Sequence, residues 1–146
     1  KTADQVTRDF NEALNAPHNN TKETQWADTV RLPTTVLQYM ASTRIGDTTM
    51  TILKFVKENN SYTLETGQPL DIRGSRELET AGVGNTGRMV AYENEKGVVR
   101  MHLPGPHEFM DPFQKSAMHW EVAGIMNVGA VEFRRPKGAV YRDGVS

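Results

Sequence analysis

Five side chains able to ligate a metal or move a proton fall within one short stretch: His102, His107, Glu108, Asp111 and His119. A metal centre needs several such groups converging on one open position. Here the spacing matches no strong ligand pattern. His102 belongs to the polar side of an alternating run, and His107-Glu108 follows the break Pro104-Gly105-Pro106. The competing reading is ordinary polar side chains facing solvent around a loop. Acid–base work by Glu108 or Glu121 is weaker still, because any globular chain offers two carboxylates.

A second stretch, Gly82-Val83-Gly84-Asn85-Thr86-Gly87, fits the dinucleotide-binding fingerprint letter for letter. That fingerprint works only when a helix leaves the turn and aims its N-terminal amides at a pyrophosphate. The residues that follow, Arg88 to Glu93, read as a strand, so the expectation is a plain glycine-rich loop. A third cluster, Arg134, Arg135, Lys137 and Arg142, is basic, but Tyr141 is its only aromatic and Asp143 dilutes it. Nucleic-acid grooves extend such charge and interleave stacking partners, so a solvated or subunit-contacting edge is expected. No residue is assigned as catalytic, cofactor-binding or metal-ligating.

The elements that would position these groups fall in two parts. Val6, Phe10, Ala13 and Leu14 make an i, i+4, i+7, i+8 stripe, predicting a helix from Thr2 to Ala16 that Pro17 closes. Pro17 to Gln25 reads as an exposed loop. Asp28 to Leu32 is a strand, and Thr34 to Ser42 a helix facing Val36, Leu37 and Met40 inward. Asp47 or Thr48 is expected to cap a third helix ending near Glu58, with Ile52, Leu53, Phe55 and Val56 buried. Leu70 to Arg73 is briefly extended.

The rest is strands. Arg88 to Glu93 and Val98 to Leu103 read as a hairpin turning at Asn94 to Gly97. From Met118 onward, Trp120, Val122, Gly124 and Met126 share one parity, whereas Val131 and Phe133 hold the other. Strand side chains alternate strictly, so this flip demands a bulge or a tight turn at Asn127 to Gly129. Pro136 ends the ladder. The scattered methionines Met50, Met89, Met101, Met110, Met118 and Met126 suit core gap-filling. The order of elements favours an α+β fold over a doubly wound sheet.

Composition narrows the classes. Eighteen acidic and 17 basic side chains leave a net charge of -1, so no field attracts nucleic acid or an anionic membrane. With no cysteine among 146 residues, disulfide scaffolds and thiolate metal sites are excluded. No apolar run approaches bilayer length. The start at Lys1 suggests a chain trimmed from something longer.

Three stretches in order carry a resemblance: Ala27 to Ser42, Thr86 to Glu108, and Ala130 to Val145. Together they resemble the C-terminal half of a family of tailed-phage structural proteins, the major capsid proteins with the Hong Kong 97-type fold. The resemblance implies an α+β architecture with a spine helix, a peripheral sheet and an axial lobe. Residues 1–27 would be the end of the spine helix and a loop of the peripheral domain. Residues 28–98 would be the axial domain, and 99–146 the peripheral strands and C-terminus, with a bent, nearly continuous strand through Asn127 to Gly129 packed on the helix bearing Val6, Phe10 and Leu14. Arg134-Arg135-Pro136 resembles the closing turn of that family.

The function so implied is a structural subunit of a phage or prophage icosahedral shell, not an enzyme, with no cofactor. It would associate with copies of itself as pentamers and hexamers, assembled in the host bacterial cytoplasm and residing in the virion. Scaffolding and portal proteins are further implied partners, packaged DNA is met only non-specifically, and no membrane is involved. The family's N-terminal arm and extended loop have no counterpart here, so these residues alone are not expected to build a shell. The competing functions are a non-viral nanocompartment shell, a small metal-dependent enzyme using His102, His107 and His119, and a nucleotide-binding module at Gly82 to Gly87.

Overall fold

In the computed structural model, which describes residues 2–46 and 48–145, helix α1 (Ala3–Asn20) opens the chain. Thr2 and Gln5 form a reciprocal capping box at its start. The predicted stripe is its buried face: Val6, Phe10, Ala13 and Leu14 are all in the core. Pro17 does not close the helix, which runs one further turn. Pro17 is itself buried, and its carbonyl accepts from both the backbone N–H and the hydroxyl of Thr21. Burial and that cap offset the one helical hydrogen bond proline cannot donate.

Strand β1 (Thr29–Pro33), α2 (Thr34–Ser42), α3 (Ile52–Glu58), α4 (Ser61–Thr66) and β2 (Asp71–Ser75) follow. Asp47 lies outside the described residues, and α3 starts later than expected because Thr51 caps it through Lys54 N–H. Ile52 and Val56 are buried, with Leu53 and Phe55 packed against the core. Helix α4 was not predicted. Asn60 makes it: its side-chain oxygen accepts from Thr63 N–H, while its amide donates to the carbonyls of Val56 and Lys57. One buried asparagine thus ends α3 and begins α4.

A 3-10 turn (Arg76–Glu79) leads through a loop to β3 (Arg88–Tyr92). The sheet is completed by the last strand of the chain, Ala139–Asp143, in the order last strand–β3–β1–β2, with β1 and β2 parallel and the other pairs antiparallel. Val30, Leu32, Met89, Ala91 and the α1 stripe share one core with Val36, Met40, Ile52 and Val56.

The hairpin expected between Arg88–Glu93 and Val98–Leu103 does not form. Both edges of β3 are taken, by β1 and by the last strand, so the chain turns away at Glu95, whose carbonyl accepts from Val98 and Val99 N–H. Residues 99–133 then run out and back as one ribbon. Its outgoing strands are β4 (Val99–Met101), β5 (Gly105–Phe109) and β6 (Phe113–Ser116); its returning strands are β7 (His119–Glu121), β8 (Gly124–Asn127) and β9 (Val131–Phe133). They pair β4 with β9, β5 with β8 and β6 with β7. The last strand of the sheet is β10 (Ala139–Asp143). Arg134 N–H donates to Val98 C=O at 2.9 Å, closing the ribbon's base.

None of the residues 99–133 is buried. The expected packing of these strands on α1 is thus not what is found, because β3 and β10 already occupy the sheet beside that helix. Of the six scattered methionines, only Met89 is in the core; Met101, Met110, Met118 and Met126 are exposed on the ribbon, where no layer covers them.

Candidate functional site

The groups singled out by their chemistry are not brought together. His102 sits near the ribbon's base, with Nε2 2.8 Å from Glu132 Oε2. His107 lies edge-on to the Phe109 ring, and His119 opens β7 near the tip. Among the described residues no group of three or more His, Cys, Asp or Glu could hold a metal ion. The histidine hypothesis fails on geometry: an extended ribbon separates residues that sequence spacing placed close together.

The glycine-rich loop closes on itself. Gly82 N–H donates to Thr86 C=O at 2.8 Å, Asn85 N–H to Gly82 C=O, and the Thr86 hydroxyl to Val83 C=O. Val83 N–H is already bonded to Asp143, and the element that follows is strand β3. No helix N-terminus faces a phosphate, and a Cβ on Gly82 would stand 2.6 Å from the Thr86 hydroxyl. This glycine serves a tight turn.

The basic cluster divides. Arg142 bridges Asp9 at 3.0 Å and Glu12 at 2.6 Å, clamping β10 to α1. Arg88 forms two bonds with Asp143, at 2.6 and 3.0 Å, and this pairing holds the carboxyl of Asp143 below its usual range. Arg134, Arg135 and Lys137 stay exposed where the ribbon rejoins the body. Beside them Glu93 carries a raised pKa, first through burial and then through Glu95 and Asp28, with Arg135 opposing.

What sequence reasoning missed is the ribbon's apolar face. The parity flip is a β-bulge: Gly129 N–H donates to His102 C=O at 2.8 Å, and His102 N–H donates to Ala130 C=O. Two residues oppose one, so the alternation shifts by one place. Only glycine suits this position, because a Cβ on Gly129 would lie 2.7 Å from that carbonyl oxygen. Pairing resumes at Gly105 and Asn127, so Leu103 and Pro104 together must oppose Val128. The flip read from the sequence therefore keeps Val131 and Phe133 on the same face as Trp120, Val122 and Met126.

On the outgoing side Val99 and Met101 pair directly with Phe133 and Val131. Phe109 lies opposite Gly124, on the Met126 parity. One face is thus apolar from base to tip. The other carries Arg100, His102 and Glu132 near the base, Ile125 midway, and Phe113 with the bonded pair Lys115 and Glu121 near the tip. Of the 16 large hydrophobic side chains exposed among the described residues, 12 lie on the ribbon. Trp120 is 60% exposed and Phe109 70%. Monomers rarely leave a contiguous apolar patch beyond a few hundred Å² in water, so this surface is built to be covered. The signal available in the sequence was the apolar alternation on both strands of the ribbon; the absence of a covering layer was not.

Comparison with known proteins agrees. The family model described as major capsid protein matches residues 1–145. Among solved structures, the capsid of Myoviridae phage XM1 is similar, with a TM-score of 0.77 at 16% identity, covering 99% of this chain. The chain spans about half of that capsid chain, 47% of its length. The likeness extends to the fold, a mixed helix-and-sheet architecture consistent with the Hong Kong 97 type. No curated protein matches.

Proposed function

This chain belongs to the major capsid protein family, and from that premise we propose that it is a structural subunit of a phage or prophage capsid shell, associating with copies of itself into capsomers. The observation that carries the reading is the ribbon. A lone two-stranded ladder is marginal in water, yet this one projects from a body with its own core and carries most of the large apolar side chains that are exposed among the described residues. Such an element makes physical sense in an assembly. A shell needs many moderate contacts repeated by symmetry, and multivalency supplies the total strength. The role is structural, and among the described residues no catalytic constellation supports another.

The remaining elements of the reading follow from the family. The shell is the virion capsid, put together in the bacterial cytoplasm, with scaffolding and portal proteins as further partners. Packaged DNA meets the subunit only through unspecific contacts of the kind Arg134, Arg135 and Lys137 can make. Residues 28–98 correspond to the axial domain and the ribbon to peripheral strands. Among the described residues no helix is long and apolar enough to cross a membrane. Electron microscopy of the full-length protein tests the proposal. Shells, tubes or capsomers are expected, and soluble monomers under every assembly condition would sink it.

A further inference from the structure

We propose that the cavity between the end of α1 and the turn Pro136–Gly138 is a phosphate-binding site. The cavity measures about 480 Å³, within the range of small-ligand sites. Lys22, Arg135 and Lys137 line it together with Thr21, Thr24 and Gln25, and among the described residues no carboxylate does. Neither Lys22 nor Lys137 has an ion-pair partner among the described residues. Arg135 feels the carboxyl of Glu93, which stands outside the lining. Three cations gathered around one cavity repel each other, and a bound anion removes that repulsion. A phosphate group suits these donors because it offers more acceptor oxygens, and more charge, than a carboxylate.

A second, independent support is a donor left without an acceptor. Gln25 is only 5% exposed, and its side-chain Nε2 has no hydrogen-bond partner. Leaving a buried amide N–H unpaired is costly. The last torsion of a glutamine is soft, so a small turn of the amide brings its N–H groups to an oxyanion in the cavity. Gly138 makes room for this side chain, since a Cβ there would stand 2.8 Å from Gln25 Oε1. The wall carrying Lys22 is held in place. The Thr21 hydroxyl accepts from Gln25 N–H at 3.0 Å, and the Thr24 hydroxyl donates to Thr21 C=O at 2.8 Å. Between them Lys22 and Glu23 both take left-handed backbone, at φ 54° and 63°. Such a conformation persists only where its surroundings impose it, and it recurs at ligand clamps. Donors fixed before the ligand arrives lose less on binding it. The site stands apart from the capsid reading. Free phosphate and the backbone of DNA both present the group, and the test separates them.

Calorimetry on the full-length protein, titrated with inorganic phosphate against chloride of equal ionic strength, tests the site. Binding with a dissociation constant of about 1 mM or tighter is expected. Lys22→Gln with Lys137→Gln should weaken it roughly tenfold or more, and each single change should weaken it in part. Lys137→Arg should retain it. Lys54→Gln with Lys57→Gln, an equal loss of charge on exposed residues of α3, should leave it unchanged. No binding by the parent protein, or equal weakening by the two double variants, overturns the proposal. A labelled DNA duplex then identifies the source. Duplex binding that falls in the Lys22/Lys137 variant and is released by phosphate assigns the site to the nucleic-acid backbone; duplex binding indifferent to both assigns it to free phosphate. Neither result bears on shell formation, which electron microscopy reads separately.

Discussion

Excising the ribbon should leave the body folded. Replacing residues 99–133 by Gly-Asn-Gly joins Val98 to Arg134, whose backbones are already bonded at 2.9 Å. The change removes no buried residue, because none of the ribbon is buried. It does remove the edge-on contact between Phe133 and Tyr92 at 6.2 Å, worth about 0.5–1.5 kcal/mol. Against this stands the loop. If the ribbon contributes no net stability of its own, the body must close a loop of roughly 35 residues, and shortening it to about three saves roughly 2 kcal/mol at ~0.6 kcal/mol per doubling. The two effects nearly cancel. The stability of the body should shift by no more than about 1–2 kcal/mol, with a slight gain favoured. Urea unfolding followed by circular dichroism measures this, and the m-value should stay close to that of the intact chain, since m follows the surface exposed on unfolding. A loss beyond about 3 kcal/mol, or a broad multi-step transition, would refute the separation of body and ribbon.

Two single substitutions probe the body. Asn60→Ala removes the acceptor for Thr63 N–H and the donors to Val56 and Lys57 from a side chain that is 1% exposed; a loss of about 2–3 kcal/mol is expected in thermal melts, combining a cap with buried hydrogen bonds. Glu93→Gln should act in the opposite direction. Its carboxyl is raised by burial and by neighbouring Glu95 and Asp28, so the folded chain holds that proton more tightly than the unfolded one. Stability from this group is present below the ordinary carboxylate value and falls as pH rises through the raised one. The variant should therefore melt higher than the parent at pH 7, with the gap closing below about pH 4. An equal difference at both pH values would show that burial, not charge, sets the effect.

The helices of the body were legible because amphipathic periodicity is local. Val6, Phe10, Ala13 and Leu14 mark α1, and Pro33-Thr34 marks the start of α2, to within a residue. The boundary errors have equally local causes: Pro17 continues a helix because it is buried, and α4 exists because Asn60 serves two helix ends. Strand pairing was not legible. Arg88–Glu93 and Val98–Leu103 have hairpin spacing, but β3 spends both edges on β1 and β10, and β10 arrives some fifty residues later in sequence. Pattern reasoning sees which residues alternate, not which edge is already taken. The glycine fingerprint and the histidine cluster failed for the related reason that a motif has meaning only in the element that carries it.

The bulge at Gly129 links these levels. In the sequence it is a flaw in an alternating pattern; in the fold it is one extra residue opposite His102 that returns Val131 and Phe133 to the face of Trp120 and Met126. Without it the apolar stripe would cross to the other side halfway along the ribbon, and a single partner could cover only half. The outgoing strand compensates at Leu103 and Pro104, so the ladder regains its register at Gly105. It then carries further irregularities before Glu108 and Ser116, each adding to the right-handed twist of the ribbon. A ladder with this stripe cannot be stable alone, and ordering it on association subtracts from the affinity of each contact. For a shell subunit that cost is useful. Contacts that are individually weak can dissociate when misplaced, while the closed array is held by their number. On the proposed reading as a shell subunit, association would be carried by the element whose loss the body tolerates best.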